Sequence, residues 1–355
     1  MSRSPHSNWP PEARLWEPVG EGEVRCLLCP RNCLVPEGGR GFCKVRINRG
    51  GKLYTLSYGN ISALESRPIE IKPFFHYHPG SSSLTFSTWS CNLNCKWCQN
   101  WRLSAREPPD PPPEALSPEE VLEAALRAGD DGLCVSFNEP TLLFEFCLDL
   151  FPLAKRHGLY CCFVSNGFIS LRALDELIDA GLDGMNVDVK GTDEVYKKYC
   201  GGASVEPVWE AAAHARERGV HVEIVCLLVT GVSDDEGTVR WIVRRHLELL
   251  GPDIPIHFNR YFPAKEFMAP PTPVSNLLRA REIALEAGIK FAYIGNLHGH
   301  PAENTYCPSC GRELITRSGF ATVAVNLTED NRCPGCGEQI PIVGRARRTS
   351  LRFLL

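Results

Sequence analysis

Cysteine is the residue type in this 355-residue chain whose number and spacing point most directly to chemistry. Most of its 17 cysteines fall into three tight groups, and the others are scattered. The head group is Cys26, Cys29, Cys33 and Cys43, the central group is Cys91, Cys95 and Cys98, and the tail group is Cys307, Cys310, Cys333 and Cys336. Thiols clustered in a chain that lacks a secretory signal indicate metal binding rather than disulfide bonds.

The central group places three thiolates within eight residues, which is close enough to wrap one metal unit. Three cysteines are too few to close a tetrahedral zinc site or to ligate every iron of a cubane. A 4Fe–4S cluster held by three cysteines keeps one open iron, where a substrate or cofactor can coordinate. The alternative is three buried cysteines or half of a zinc site.

The tail group consists of two CPxCG turns, Cys307–Gly311 and Cys333–Gly337, with residues 313–325 between them predicted as strands. Such turns aim backbone N–H groups at thiolate sulfur. Four cysteines in this pattern predict a structural zinc ribbon, and rubredoxin-like iron is the alternative.

Composition sets the class of protein around these groups. The chain is 43% hydrophobic and 23% charged, with a net charge of −4, which is typical of a globular protein and excludes collagen, coiled coil and wholesale disorder. The chain has no excess of basic residues, so its charge does not indicate nucleic-acid binding. The residues up to Pro11 are polar and the longest apolar run is too short to span a bilayer, so we expect a cytoplasmic protein without membrane contact. The basic run Arg345–Arg348 with Arg352 is interpreted as a solvated end.

The body of the chain alternates apolar runs with amphipathic stretches, which predicts an α/β fold with a parallel sheet. The runs are Leu84–Thr88, Leu133–Phe137, Tyr160–Ser165, Gly184–Val189, Val220–Val229, Pro255–Phe258 and Lys290–Ile294. The predicted helices cover Leu142–Lys155, Leu171–Ala180, Glu206–Arg218, Val239–Leu250 and Ser275–Ala287, with capping boxes at Ser117–Glu120 and Ser233–Glu236. About six repeats are too few for a closed eight-fold barrel and predict a partial TIM-like barrel, with its site at the carboxyl ends of the strands.

Polar motifs follow several of these runs. They are Ser136–Pro140, Ser165-Asn166-Gly167, Asp188-Val189-Lys190 and Asn259-Arg260-Tyr261. Taken singly, each is more often a turn or a buried ion pair. Their order behind a cysteine triad makes a shared site the better interpretation.

The CxxxCxxC triad after the first strand of a partial (β/α)6 barrel resembles radical S-adenosylmethionine (radical SAM) enzymes. The ending Cys98-Gln99-Asn100 is similar to the pyruvate formate-lyase activating branch. The resemblance implies a 4Fe–4S cluster whose open iron chelates S-adenosylmethionine and whose electron yields a 5′-deoxyadenosyl radical that abstracts hydrogen. It makes Cys91, Cys95 and Cys98 both the cluster ligands and the catalytic residues.

The same resemblance implies cofactor-binding roles for further residues. Trp97 takes the position that packs near adenine, and Asn138 with Glu139 takes the place of Gly-Gly-Glu-Pro, which binds the cofactor's amino group. Ser165 with Asn166 resembles the activases' Asp-Thr-Asn-Gly. Asp188 and Lys190 match Asp-x-Lys, whose lysine reaches the cofactor carboxylate, and Arg260 matches a ribose contact. Two departures are Phe137 and Asn138 in place of glycines, and Val164 in place of an aspartate.

Nearly the whole chain resembles one subgroup, the AmmeMemoRadiSam radical SAM enzymes. The matching segments are Cys26–Pro30, Gly41–Cys43, Cys91–Asn100, Tyr293–Asn296 and Asn304–Pro308. The resemblance implies AMMECR-type and Memo-type partner proteins and a reducing partner such as flavodoxin or ferredoxin. The alternatives are an activase of a glycyl-radical enzyme and, in a different class, a non-catalytic zinc-ribbon interaction protein.

The head group CxxCxxxCx9C leaves two occupants open. Zinc or another structural metal is the preferred interpretation, and an auxiliary 4Fe–4S cluster is the alternative, because such an enzyme is already loaded with iron and sulfide. The predicted organisation is a cysteine-rich extension with a hairpin of residues 52–56 and 68–75 (1–83), the barrel (84–304), the zinc-ribbon module (305–344) and the basic tail (345–355).

Overall fold

The computed structural model describes residues 9–350 and residue 353. The first eight residues of the predicted polar N-terminus and Arg352 of the predicted basic run lie outside the described residues.

The head of the chain forms six short strands. They are β1 (Trp16–Gly20), β2 (Glu23–Cys26), β3 (Leu34–Val35), β4 (Arg46–Arg49), β5 (Lys52–Thr55) and β6 (Ala63–Pro68). Strands β1, β2 and β3 make one antiparallel sheet, and β4 pairs with β5 in a separate hairpin. The last of the six, β6, joins the central sheet as an antiparallel edge strand.

The predicted hairpin has a different partner from the one expected. Residues 52–55 pair with β4 instead of with residues 68–75, because Gly50 and Gly51, at φ of 65° and 71°, make a two-residue turn that brings Arg49 opposite Lys52. Two consecutive residues at positive φ are the requirement of a type I′ turn, which glycine meets without strain. Residues 69–71 form a single turn of 3₁₀ helix after β6.

A mostly parallel sheet forms the centre of the molecule, as predicted. Its parallel strands are β7 (Ser82–Ser87), β8 (Gly132–Val135), β9 (Tyr160–Ser165), β10 (Gly184–Asp188), β11 (His221–Leu228), β12 (Ile256–Arg260) and β13 (Ala292–Gly295). They lie side by side in chain order, and each corresponds to one of the predicted apolar runs. Because neighbouring strands are parallel, their carboxyl ends meet at one edge of the sheet.

Helices connect the parallel strands and cover the sheet. They are α1 (Trp101–Ser104), α2 (Pro118–Ala128), α3 (Phe144–Arg156), α4 (Leu171–Ala180), α5 (Asp193–Tyr199), α6 (Glu206–Glu217), α7 (Glu236–Leu250) and α8 (Val274–Glu286). The capping box predicted at Ser117 is present, with Ser117 accepting from the Glu120 N–H and Glu120 accepting from the Ser117 N–H. Apolar residues of the helices and of both sheet faces form the main core.

The second predicted capping box is wrong. Helix α7 is capped by Asp235, whose carboxylate accepts from the Thr238 N–H at 2.9 Å. Ser233 is occupied elsewhere, since its hydroxyl accepts from the Val229 N–H at 3.0 Å and so closes the preceding turn. An aspartate two residues later offers the same acceptor chemistry and a favourable charge at the helix N-terminus.

The tail forms a small antiparallel sheet of β14 (Thr305–Tyr306), β15 (Glu313–Ser318) and β16 (Ala321–Val325). The backbone of the stretch after it lies against the protein, while Arg345, Arg347 and Arg348 are exposed, as predicted for a solvated basic run. Arg347 pairs with Asp131, and its backbone N–H donates to Pro79 at 3.0 Å, while the Thr349 N–H donates to Thr322 at 2.9 Å. Within the part of the chain that the structure describes, no helix combines the length and apolar character needed to cross a membrane.

Candidate active site

The three central cysteines lie on the loop that follows β7 and line one pocket at the carboxyl ends of the strands. The pocket contains about 940 Å³ of space not occupied by atoms. The predicted residues that line it are Cys91, Cys95, Trp97, Cys98, Asn138, Glu139, Ser165, Asn166, Asp188 and Lys190. Residues separated by up to 99 positions in the chain are therefore brought to one place by strand order alone.

Hydrogen bonds to sulfur hold the cysteine loop in shape. The Leu93 N–H lies 3.4 Å from the Cys91 Sγ, and the side-chain amide of Asn166 donates to the same sulfur at 3.6 Å. The Cys98 Sγ lies 3.1 Å from the hydroxyl of Ser104. Donors of this kind stabilise negative charge on sulfur, which a thiolate ligand carries.

Negative charge on the buried sulfurs of this loop is unfavourable without a cation beside it. Burial raises the pKa of Cys91 well above its ordinary value, and the charges of Glu139 and Cys95 raise it further. Burial likewise raises the pKa of Cys98. A bound metal offsets this cost, because it replaces the proton on each thiol.

Cys200 adjoins the central group, as its position after the strand Gly184–Asp188 permits. A hydrogen bond between the Cys200 thiol and the Cys95 sulfur lowers the pKa of Cys95. The Cys200 side chain is fully buried, and the loop is fixed there by the Lys96 N–H donating to Tyr199 at 3.1 Å. Cys200 is therefore a neighbour of the cysteine loop and not an accessible thiol.

Glu139 joins the ends of β8 and β9. Its fully buried carboxylate accepts from the Thr141 N–H at 3.0 Å, the Thr141 hydroxyl at 2.6 Å, the Ser165 hydroxyl at 2.8 Å and the Asn166 N–H at 2.9 Å. Burial raises the pKa of Glu139, and these donors oppose that effect. Glu139 thus lines the pocket and also positions Ser165 and Asn166.

The backbone before Glu139 keeps a conformation that suits glycine. Phe137 has a φ of 67°, a value at which a side chain is strained. Its carbonyl accepts from the Asn100 amide at 2.5 Å, and the Asn138 amide donates to Thr88 at 2.8 Å and to Ser90 at 2.7 Å. These contacts tie the end of β8 to both sides of the cysteine loop, which holds the strained backbone in place.

Lys190 is the buried cation of the pocket. Its ammonium donates to Asp188 at 2.6 Å. Although burial by itself would lower the pKa of Lys190, the nearby charges of Asp188 and Cys95 raise it well above its ordinary value. The lysine is therefore charged, and it faces the pocket that the cysteines line.

Three residues that line this pocket each carry a buried side-chain oxygen without a hydrogen-bond partner among the described residues. The oxygens are the Oδ1 atoms of Asn138, Asp188 and Asn259. Buried polar atoms are rarely left unpaired, so these oxygens are unused hydrogen-bond acceptors beside the pocket. An amino group and ribose hydroxyls, as in S-adenosylmethionine, fit this set, and Lys190 supplies a cation for a carboxylate.

Arg260 does not line this pocket. Its guanidinium donates to the Thr272 carbonyl at 2.9 Å, and Asn259 faces the pocket instead. Successive residues of a strand point to opposite faces, and Asn259 is paired in register with Leu227, another lining residue. The alternation of side chains along the strand could therefore have shown from the sequence that Asn259, and not Arg260, faces the pocket.

The four tail cysteines form a compact site beside β14 and β15. Their sulfur atoms all lie within 4.8 Å of one another, with Cys307 and Cys336 at 3.5 Å and Cys310 and Cys333 at 3.6 Å. Four thiolates around one tetrahedral ion at a Zn–S distance of about 2.3 Å stand about 3.8 Å apart. The site therefore has the size of a single bound metal ion.

The four head cysteines line a second cavity, which lies beside the central loop. It also includes Arg31, Asn92, Thr141 and Leu142 and contains about 350 Å³ of space not occupied by atoms. Burial raises the pKa of Cys43 to about 11, with the charge of Cys26 adding to the effect.

Comparison with known proteins finds several that are similar to parts of this chain. A crystal structure of a radical SAM methyltransferase from Sphaerobacter thermophilus is similar, with a TM-score of 0.47 and 16% identity over 65% of this chain and 70% of that one. Pyruvate formate-lyase 1-activating enzyme of Escherichia coli is 29% identical over 44% of this chain and 65% of its own length. A putative glycyl-radical enzyme activating enzyme of Methanocaldococcus jannaschii is 26% identical over 58% of this chain and 78% of its own.

A further relative is similar over nearly the whole chain. An uncharacterized protein of Methanocaldococcus jannaschii is 40% identical over 334 residues, which is 94% of this chain and 99% of that protein. The model of the radical SAM superfamily matches residues 87–242, a span that includes the central cysteines and most of the parallel strands. This part of the chain is therefore a radical SAM superfamily domain.

Proposed function

We propose that this protein is a radical SAM enzyme whose 4Fe–4S cluster is held by Cys91, Cys95 and Cys98. The match of residues 87–242 to the radical SAM superfamily implies the cluster and S-adenosylmethionine. The observation that carries the proposal is the convergence of three cysteines, a buried lysine and three unpaired acceptor oxygens on one pocket. When bound there, the cluster and S-adenosylmethionine supply a 5′-deoxyadenosyl radical that removes hydrogen from a substrate.

The residues of the chain bind and shield this chemistry. Lys190 is placed to neutralise a carboxylate, and the unpaired oxygens of Asn138, Asp188 and Asn259 are placed to accept from amino and hydroxyl groups. Trp97 is 2% exposed and packs edge-on against Phe267, with ring centroids 5.8 Å apart. Trp97 thus gives the pocket an apolar wall, and exclusion of water from such a site would protect a reactive species from side reactions.

The architecture suits this role if the seven parallel strands form a partial barrel around the pocket. The strands run in chain order from β7 to β13, with β6 closing one edge. A zinc ion in the tail site would then have a structural role at the side of the barrel. The spacing of the four tail sulfurs supports one bound ion.

The reaction is the finer part of the proposal. We favour a reaction in which the protein removes hydrogen from a substrate in cooperation with AMMECR-type and Memo-type proteins, as the resemblance to the AmmeMemoRadiSam subgroup implies. A flavodoxin or ferredoxin would be the electron donor. Activation of a glycyl-radical enzyme is the second candidate, and the similarity to two activating enzymes speaks for it. A non-catalytic zinc-ribbon protein would have no use for the intact central triad.

The test is formation of 5′-deoxyadenosine by the anaerobically reconstituted and reduced protein. We expect the product with the wild-type chain and with Cys147→Ala, and none with Cys91→Ala, Cys95→Ala or Cys98→Ala. Cys147 is a suitable control because it is buried in α3, away from the pocket. Normal product formation by a variant whose central site is empty would contradict the proposal.

The partners are tested by repeating the assay with each candidate protein added. Stimulation by the AMMECR-type or Memo-type protein supports the favoured reaction. Loss of hydrogen from a glycine-containing peptide substrate supports the activase.

A further inference from the structure

We propose that the four head cysteines bind a second 4Fe–4S cluster, ligated by all four thiolates, and not a single metal ion. This proposal goes beyond the reaction of the central site and rests on the positions of Cys26, Cys29, Cys33 and Cys43. It replaces zinc, which the sequence pattern alone favoured.

The backbone gathers the four cysteines around one enclosed cavity. Cys26 ends β2, and its N–H donates to the Cys33 carbonyl at 3.0 Å, so that the intervening loop closes on itself. The Phe42 N–H lies 3.5 Å from the Cys33 sulfur, which brings Cys43 to the same place. Cys26 and Cys43 are buried and the other two are half-buried, so a bound group would be largely shielded from water.

The spacing of the sulfur atoms separates a cluster from an ion. Among the residues that the structure describes, the tail cysteines are the one set of three or more candidate ligands within 4.8 Å of one another. No three head sulfurs come that close together, although all four line one cavity. A cubane puts four iron atoms between its thiolates, so its ligands stand further apart than those of one tetrahedral ion.

The central triad provides an internal standard for this argument. Cys91, Cys95 and Cys98, which we propose as ligands of a 4Fe–4S cluster, also fail to come within 4.8 Å of one another in the described part of the chain. The head group therefore shares the wide spacing of the central group, and the tail group has the narrow spacing of an ion site.

The head cavity shares its walls with the central pocket. Asn92 faces the head cavity, and its neighbours Cys91 and Leu93 face the central pocket. In the same way Thr141 lines the head cavity and Glu139 lines the central pocket. The two sites are therefore separated by single layers of polypeptide.

Arg31 joins these two sites. Its guanidinium donates to the Asn92 carbonyl at 2.6 Å and to the Gly201 carbonyl at 2.9 Å, and it lies 3.5 Å from the centre of the Phe42 ring. A cation in this position lies near thiolates of both groups. The head cluster would thus be built into the wall of the active site and not appended to it.

Metal and sulfide analysis of the full-length protein tests the proposal. The decisive variant is Cys91→Ala/Cys95→Ala/Cys98→Ala, prepared anaerobically, because it removes the central cluster. We expect it to keep about four irons and four sulfides with about one zinc, as one cubane and one tail ion require. About two zinc ions and no iron, or an empty head site, would overturn the proposal.

Single variants of the otherwise intact chain give an independent measurement. Wild type should contain about eight irons, and Cys26→Ser should contain about four, while Cys147→Ser should match wild type. Electron paramagnetic resonance of the reduced wild type should show two signals, of which S-adenosylmethionine shifts one, because a cluster with four thiolates has no open iron. About four irons in both wild type and Cys26→Ser would overturn the proposal even if the triple variant does not fold.

These measurements also separate this proposal from the proposed function. Wild-type protein that contains head iron and yet forms no 5′-deoxyadenosine would count against the central reaction alone. Normal 5′-deoxyadenosine formation by a protein with zinc in the head site would count against the head cluster alone.

Discussion

The side-chain amide of Asn166 donates a hydrogen bond to the sulfur of Cys91 across 3.6 Å. The two residues stand 75 positions apart in the chain and meet because β7 and β9 end at the same edge of the sheet. The same amide also donates to Asn92 at 2.9 Å, and the Asn166 carbonyl oxygen accepts from the Phe168 N–H at 2.8 Å. The hydrogen bonds with Asn92 and Phe168 therefore hold the Asn166 side chain in the orientation in which it donates to the sulfur.

Asn166→Ala should lower the reduction potential of the central cluster. An N–H donor stabilises the reduced cluster, which carries the greater negative charge, and its loss removes about 1 kcal/mol, or a shift on the order of 40 mV for one electron. The measurement is a redox titration followed by electron paramagnetic resonance. Asn276→Ala is the control, because that half-buried amide donates to Asp234 and does not line the central pocket. An unchanged potential would show that the Asn166 amide has no influence on the cluster.

Lys190→Met should weaken binding of S-adenosylmethionine more than assembly of the cluster. A buried charge-assisted contact contributes about 1.5–3 kcal/mol, which corresponds to a loss of affinity of roughly 10- to 150-fold. Spectroscopic titration of the reconstituted protein with the cofactor measures this effect.

Lys155→Met is the matched control for the lysine. Lys155 also forms an ion pair at 2.6 Å, with Asp183, but at the opposite end of the sheet, and it is 40% exposed. Its substitution should leave cofactor affinity unchanged. Equal affinity of Lys190→Met and wild type would mean that Lys190 serves only as the ion-pair partner of Asp188.

Much of the fold could be read from the sequence because the signals there are local. Each buried parallel strand is an apolar run in the sequence. The capping box of Ser117 and Glu120 marks the start of α2 within four residues. The capping of α7 was misread because Ser233 and Asp235 both offer suitable oxygens, and only the turn at Val229 decides between them. The hairpin partner was missed although Gly50-Gly51 is a turn signal of its own.

The candidate site was predictable to the extent that its residues belong to motifs. Asp188 and Lys190 follow one strand and meet at the pocket through the alternation of side chains. Cys200 was not placed beside Cys95 by any motif, because that contact depends on how the loop after α5 packs on the cysteine loop. The spacing of the head sulfurs is likewise a property of the tertiary structure and not of the cysteine pattern.

Cys307→Ser should remove about one zinc per chain and destabilise the tail sheet, since metal-binding energy is folding energy in such a module. The central cluster spectrum should be unchanged, because the tail cysteines do not line the central pocket. Metal analysis and thermal unfolding measure the two effects, and Cys161→Ser, on β9, is the control. Loss of iron and sulfide in place of zinc would identify the tail as a redox site.

His76 should make the stability of the protein depend on pH. It is fully buried, its Nδ1 lies 3.2 Å from the Pro341 carbonyl, and its Nε2 lies 2.7 Å from the Tyr293 hydroxyl, an arrangement that suits the neutral ring. Burial lowers the pKa of His76 to about 3. In the unfolded chain the histidine ring takes up a proton near pH 6.5, whereas in the folded protein it stays neutral until the pH is much lower. The neutral buried ring therefore stabilises the fold fully above pH 6.5, and this contribution is lost as the pH falls toward 3.

Between pH 6.5 and 5 this one histidine should reduce the free energy of unfolding by about 2 kcal/mol, since each pH unit contributes at most about 1.4 kcal/mol. His76→Gln is expected to be less stable at pH 7, because a buried hydrogen-bond network is altered, and yet to lose less stability on acidification. Denaturant unfolding at a series of pH values measures both quantities. His157→Gln, an exposed position at the end of α3, should keep the wild-type slope. If the free energy of unfolding depended on pH to the same extent in His76→Gln and in wild type, the prediction would be wrong. His76 would then bind its proton equally well in the folded and the unfolded chain.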